Sequence, residues 1–218
     1  MNQLEKRAIK FPSKRYGNIV PIKAIPGHFA THHSHINYFV DLTAIKMQHN
    51  EAMACARVLA QKYAATMTPI ETIVCFDDTS VIGAFLAKEL CNSYHVSQKE
   101  KYTVNVIHPE CNASGQIFFR ENVEPMVRGK KVILLMASVS TGITIRHGIE
   151  CMDYYGGELQ GVAAIFGAVD QMDGIRVNAI FHPDDIPGYA SYDRKECPYC
   201  KRGEPVEALV NSYGYSQF

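Results

Sequence analysis

The stretch "VILLMASVSTGIT", Val132 to Thr144, decides the fold. Val132, Ile133, Leu134 and Leu135 are apolar without a break, the pattern of a strand buried on both faces. Ser138, Val139, Ser140, Thr141, Gly142, Ile143 and Thr144 then form a small, hydroxyl-rich turn, and "TIRHGIECMDYYG" reads as a helix closed by Gly156 and Gly157. At a strand-to-helix turn several backbone N–H groups converge and the helix dipole is positive, so an anion is favoured there. Ser140, Thr141 and Thr144 add hydroxyl donors, and Gly142 lets a ligand approach the backbone closely. The turn reads either as a phosphate cradle or as an ordinary Ser/Thr-capped junction. It is not a nucleotide P-loop, because no lysine follows the glycine at the required place.

Outward from this stretch the same alternation recurs. Strands are expected at Asn37 to Thr43, Thr72 to Phe76, Tyr102 to Ile107, Lys131 to Met136, Gly161 to Phe166 and Val177 to Phe181. Helices are expected at Met47 to Ala64 and after "DDTS", where Thr79 or Ser80 can serve as N-cap. This pattern predicts an α/β fold with a mostly parallel twisted sheet flanked by helices. Pro12, Pro21 and Pro26 break any helix in the first 40 residues. The segment from His108 to Arg128 is polar and irregular, with at most a small hairpin around "GQIFF". The expected organisation is an N-terminal hood over 1–40, a core over 41–185, and an irregular tail over 186–218 packed on the core.

Composition limits the partners. The 218 residues carry 22 basic and 22 acidic side chains, so no nucleic-acid footprint is expected. No apolar run reaches the roughly 18 residues that span a bilayer, and no apolar core follows the basic N-terminus, so neither a membrane nor a signal peptide is expected. Seven cysteines, mostly in apolar company, suit reduced thiols and a cytoplasmic location.

The order strand, small-hydroxyl turn, helix, glycine, strand resembles the defining segment of the type I phosphoribosyltransferases. "SHINYFVDLT" resembles a segment of the orotate phosphoribosyltransferases, "CFDDTSVIGAFLAKEL" their pyrophosphate-loop unit, and "YDRKECPYCKRGEPV" a tail of some longer members. The resemblance covers roughly residues 27 to 205. It implies a loop at Ser138–Thr144 for the 5-phosphate of phosphoribosyl pyrophosphate, and a pyrophosphate loop at Asp77, Asp78, Thr79 and Ser80. It also implies a base or ligand pocket walled by Phe29, His33, Ser34 and Tyr38, Mg²⁺ if the protein is catalytic, and a homodimer.

Two departures stand out. The family's two carboxylates, which hold the ribose hydroxyls, fall here at Met136 and Ala137. Their loss removes about several kcal/mol of transition-state stabilisation. The family's basic mobile loop is replaced by "IHPECNASGQ". Asp77 and Asp78 can instead hold a metal with waters, or can simply precede a helix.

Cys197-Pro-Tyr-Cys200 has zinc-knuckle spacing, but a structural zinc needs four ligands. Cys111, His182 or a second copy can complete the set. The alternatives are reduced thiols packing the tail down, or a redox pair. "GHFATHHSH" offers His28, His32, His33 and His35, of which strand alternation places only His33 and His35 on one face. Two functions therefore compete: transfer of phosphoribosyl to a pyrimidine-type base, or non-catalytic binding of phosphoribosyl pyrophosphate or a nucleotide on the same fold.

Overall fold

The computed structural model describes residues 3–64, 68–94, 102–112, 116–139 and 142–218. In chain order the strands are β1 (Ile9–Ser13), β2 (Gly17–Ala30), β3 (His35–Asp41), β4 (Thr72–Cys75), β5 (Asn105–Ile107), β6 (Glu110–Cys111), β7 (Ile117–Phe118), β8 (Lys131–Val139), β9 (Glu158–Gly167), β10 (Gln171–Met172), β11 (Ile175–Phe181), β12 (Ser191–Tyr192), β13 (Ala208–Asn211) and β14 (Gly214–Gln217). The helices are α1 (Thr43–Met47), α2 (His49–Tyr63), α3 (Ser80–Ser93), α4 (Ile143–Tyr155) and α5 (Pro198–Lys201). The chain divides into two compact units. One joins Met1–Ile45 to Phe181–Phe218; the other is Lys46–Ile180.

The second unit holds the α/β core. Its sheet runs β10-β11-β9-β8-β4-β5, and β5, β4, β8 and β9 are parallel. Neighbouring residues on β8 point to opposite faces. A Cβ added at Gly148 of α4 would lie 2.7 Å from Leu134 and 3.7 Å from Met136, while one at Gly83 of α3 would strike Cys75 and approach Leu135 to 3.7 Å. Helices α3 and α4 therefore cover opposite faces of the sheet, each seated through a glycine. Beneath α4, Val132, Leu134, Met136, Val162, Ala164 and Met152 are wholly buried. The helix ends as its glycines predict: Gly156 takes φ 70°, and Gly157 N–H donates to the Met152 carbonyl at 2.9 Å.

The first unit is antiparallel for the most part. Its sheet runs β12-β3-β2-β13-β14, with β1 also on β2. Leu4, Ile25, Phe29, Ile36, Phe39, Ala208 and Val210 form its core. The 14-residue β2 lies in a stretch that its prolines mark as non-helical. The ladder tolerates them at irregularities: register shifts fall between Phe11 and Ser13, around Pro12, and between Pro26 and Phe29. The tail is more regular than its composition suggests. Strand β13 alternates buried Ala208 and Val210 with outward Leu209 and Asn211, and pairs in parallel with β2 at Ala208↔Phe29.

In the irregular 108–128 segment, β6 and β7 form a two-stranded hairpin. Arg120 is committed there, donating to both carboxylate oxygens of Glu110 at 2.8 and 2.7 Å and lying over the Phe118 ring. Among the described residues, no helix is long and apolar enough to cross a membrane.

Candidate functional site

Strand β8 runs three residues further than its apolar run suggests. Ser138 and Val139 remain paired with Phe166 and Gly167 of β9, and Ala168 N–H donates to the Val139 carbonyl at 2.8 Å. Of the expected phosphate-loop residues, Ser138 is therefore a half-buried strand residue and Val139 is part of the core. Ser140 and Thr141 lie outside the described residues. The turn itself is carried by Gly142, whose φ of 76° favours glycine, and helix α4 begins at Ile143. No side chain caps its first turn among the described residues, and Ile143 and Thr144 are exposed. Met136, Ser138, Val139, Gly142, Ile143, Thr144 and Ile145 line a cavity of about 30 Å³ at this junction.

Met136 and Ala137 are both fully buried. They lie inside the ladder and not at an open strand end. The positions where the family's acidic pair would fall thus face packed core, and Met136 contributes to the cluster beneath α4.

The Asp77–Ser80 turn follows β4, the strand next to β8. Both turns thus sit at the carboxyl ends of adjacent parallel strands, the edge where ligands bind in open α/β sheets. Phe76 N–H donates to the Leu135 carbonyl at 2.8 Å, and Thr79 N–H closes the turn on the Phe76 carbonyl at 3.1 Å. Asp77 and Asp78 both take left-handed backbone, φ 54° and 60°, a conformation that aspartate tolerates and branched residues do not. Thr79 stands at the N-cap, yet its hydroxyl does not cap the helix. It is fully buried and donates to the Phe76 and Leu135 carbonyls at 2.7 and 3.1 Å, tying the turn to β8. Ser80 begins α3 and is exposed.

Sequence reasoning missed Lys46. Its side chain is 1% exposed, and its ammonium donates to the Asp77 carbonyl at 2.9 Å. The signal was weak, because a lone lysine at the end of a short helix normally reads as solvated.

The four residues expected to wall a base pocket all lie in the first unit and play different parts. Phe29 is fully buried and packs edge-on against Phe39 at 6.2 Å, so it has no face to offer a ligand. Ser34 bonds to the Thr31 hydroxyl at 3.0 Å within a tight turn. His33 is exposed beside His32, and Tyr38 is half-buried, edge-on to Phe11 at 6.3 Å. His33 sits in that turn before β3, so it does not share a strand face with His35.

His35 instead meets His28, which stands on the neighbouring strand β2. Nδ1 of His35 lies 2.9 Å from Nε2 of His28. The Cys197 and Cys200 thiols approach the same point: Cys197 Sγ is 3.4 Å and Cys200 Sγ 3.6 Å from His28 Nε2, and Cys200 Sγ is 3.3 Å from His35 Nδ1. Neither Cys111 nor His182 belongs to this cluster. Of the remaining thiols, Cys55, Cys75 and Cys151 are buried and suit packing, while Cys111 is exposed. Burial pushes both Cys55 and Cys75 up to about 12, which leaves them protonated and inert.

Comparison with known proteins places this architecture. No family model matches the chain. An orotate phosphoribosyltransferase of Caldanaerobacter subterraneus subsp. tengcongensis is 34% identical over 80 residues, 36% of this chain and 40% of that protein's length. Leishmania donovani UMP synthase superposes with a TM-score of 0.54 at 18% identity, covering 73% of this chain and 33% of that one. Trypanosoma brucei adenine phosphoribosyltransferase, solved with AMP, pyrophosphate and ribose-5-phosphate, gives a TM-score of 0.53 at 15% identity over 74% of this chain and 78% of its own. The superpositions show that the chain has the type I phosphoribosyltransferase fold, and over the 80 matched residues its sequence is similar to an orotate phosphoribosyltransferase.

Proposed function

We propose that the protein binds a phosphorylated ribose, as phosphoribosyl pyrophosphate or a nucleoside monophosphate, at the turn that ends in Gly142 and opens α4. The observation that carries this reading is the junction itself. A left-handed glycine leads into a 13-residue helix whose first turn has no side-chain cap among the described residues, and such a helix start favours a phosphate. The Asp77–Ser80 turn, on the adjacent strand, is the matching position for a diphosphate. The similarity to an orotate phosphoribosyltransferase supports a pyrimidine as the preferred base.

Magnesium is part of this reading only as a companion of the ligand. Asp77 and Asp78 belong to no group of three or more metal donors among the described residues. One or two carboxylates are enough for Mg²⁺ when substrate phosphates supply the other oxygens. Bound there, the ion would neutralise diphosphate charge.

Catalysis is the weaker half. Transfer to a base develops positive charge at the ribose, and carboxylates stabilise it. Here a thioether and a methyl group stand at those positions, buried in the ladder. Binding without transfer is therefore the reading that the geometry favours. Phosphoribosyl transfer to a pyrimidine-type base is the second reading, favoured by the sequence similarity alone. The same proposal has the protein acting as a cytoplasmic homodimer, which sedimentation velocity tests for assembly. Calorimetric titration with phosphoribosyl pyrophosphate and with UMP, with and without Mg²⁺, tests the binding. Absence of heat for every ligand removes the site.

A further inference from the structure

The first unit holds a second site with different chemistry. We propose that His28, His35, Cys197 and Cys200 bind one structural zinc ion that joins the β2–β3 hairpin to the C-terminal segment.

The donor atoms of these four residues all lie within 4.8 Å of one another. A tetrahedral zinc with Zn–N near 2.0–2.1 Å and Zn–S near 2.3 Å requires ligand-to-ligand edges of about 3.3 Å for N···N, about 3.6 Å for N···S and about 3.8 Å for S···S. Three of the four sulfur-to-nitrogen separations are 3.3, 3.4 and 3.6 Å, and the fourth, Cys197 to His35, lies within 4.8 Å. The imidazole pair, at 2.9 Å, opens by about 0.4 Å to reach the tetrahedral edge.

An independent observation fixes which atom of His28 faces the cluster. Its Nδ1 lies 3.1 Å from both the Glu204 and Pro205 carbonyls. Carbonyls only accept, so Nδ1 carries the proton and Nε2 presents a lone pair toward both thiols and His35. This is the outer arrangement that orients metal-bound imidazoles. Tyr199 stacks on the His28 ring at 5.1 Å and 22°, and Arg202 lies over Tyr199, so the ring is held from behind as well.

The chain supplies these residues from two distant segments. His28 and His35 flank the turn that joins β2 to β3, seven residues apart, and Cys197 and Cys200 bracket the start of α5. Two thiolates and two imidazoles with no open position are the donor set of a structural zinc, not of a catalytic one. Three of the four are buried, which suits a closed site. On binding, both thiols lose their protons to solvent, the imidazoles stay neutral, and the His35 proton resides on Nε2.

The test uses the full chain, purified under reducing conditions without chelator. Elemental analysis is expected to give one zinc per chain, retained through dialysis and released by a mercurial reagent. Cobalt substitution is expected to give tetrahedral visible bands and a thiolate-to-cobalt charge-transfer band. Cys200→Ser and His35→Gln should lose or weaken the metal, while Cys111→Ser keeps it. Cys200 is exposed, so its variant preserves the fold well enough to be read. A chain that carries no metal and binds neither added zinc nor cobalt overturns the proposal. So does a Cys197–Cys200 disulfide that persists in reductant, or a Cys200→Ser variant with an unchanged cobalt spectrum.

Discussion

Met136→Glu restores a carboxylate at one of the positions where the orotate-type pattern has one. If that position opened onto a ligand, the change would be tolerated and would help ribose binding. The structure predicts otherwise. Met136 is fully buried between β9 and α4, 3.7 Å from where a Cβ on Gly148 would sit. A glutamate there must fold protonated. An ordinary glutamate titrates near 4.3, so holding it neutral at pH 7 costs about 4 kcal/mol, and lost apolar contacts add about 1 kcal/mol. The sum, about 5 kcal/mol, is comparable with the whole stability of many domains. The pH dependence has a definite sign. The folded-state pKa of the new acid is raised, so the unfolded chain releases a proton that the folded chain keeps. The penalty grows by about 1.4 kcal/mol per pH unit above about 4.3, through neutral pH, and disappears as pH falls below that value. Met136→Leu keeps volume and polarity and should cost less than about 1.5 kcal/mol. Denaturant unfolding of the three proteins at pH 4.5, 6 and 7.5 gives the comparison. A Met136→Glu protein as stable as the parent at pH 7.5, with no pH-dependent difference, would refute the buried placement.

Three further outcomes follow from the geometry. Gly142→Ala puts a side chain at φ 76° and against the Met172 methyl; a loss of about 1–2 kcal/mol in unfolding free energy is expected, with weakened phosphate binding in a titration, and parental values in both would contradict the turn. Asp78→Val places a branched residue at φ 60° and should destabilise by about 1–2 kcal/mol, whereas Asp78→Gly stays within about 1 kcal/mol of the parent. Burial works against the charge on Asp41, but the Lys23 ammonium at 2.7 Å and the Thr43 hydroxyl and N–H outweigh it and hold its carboxyl below the ordinary 3.8. A depressed acid stabilises above its unfolded pKa and loses that contribution as pH falls through the folded value. Asp41→Asn should therefore lower stability at neutral pH and flatten the acid limb of the stability profile below pH 3.8; an unchanged limb would remove the role of the pair.

The sequence made the second unit legible because its signals are local. Unbroken apolar runs gave β4, β8 and β9, and Gly156-Gly157 gave the end of α4. The end of β8 was not legible. Ala137, Ser138 and Val139 look like the approach to a turn until the β9 ladder extends the strand over them. The first unit was read poorly for a related reason. Pro12 and Pro26 exclude a helix, but they leave open strands with register shifts, which is what forms. The short alternation of Ala208 and Val210 carries little weight without the β2 edge it joins. The His28–His35 pair depends on the register of β2 against β3, and its meeting with Cys197 and Cys200 depends on contacts spanning about 170 residues. Spacing gave half of that cluster and long-range folding the other half.

The central claim is that the chain keeps a phosphoribosyl-binding turn while lacking the carboxylates that drive transfer. One measurement addresses both parts: phosphoribosyl pyrophosphate titrated into the protein with Mg²⁺, followed by an assay for pyrophosphate release in the presence of orotate. The account predicts saturable binding, competed by inorganic phosphate and weakened by Gly142→Ala, with no pyrophosphate released. No binding, or turnover of orotate at an enzymatic rate by the unaltered chain, would contradict it.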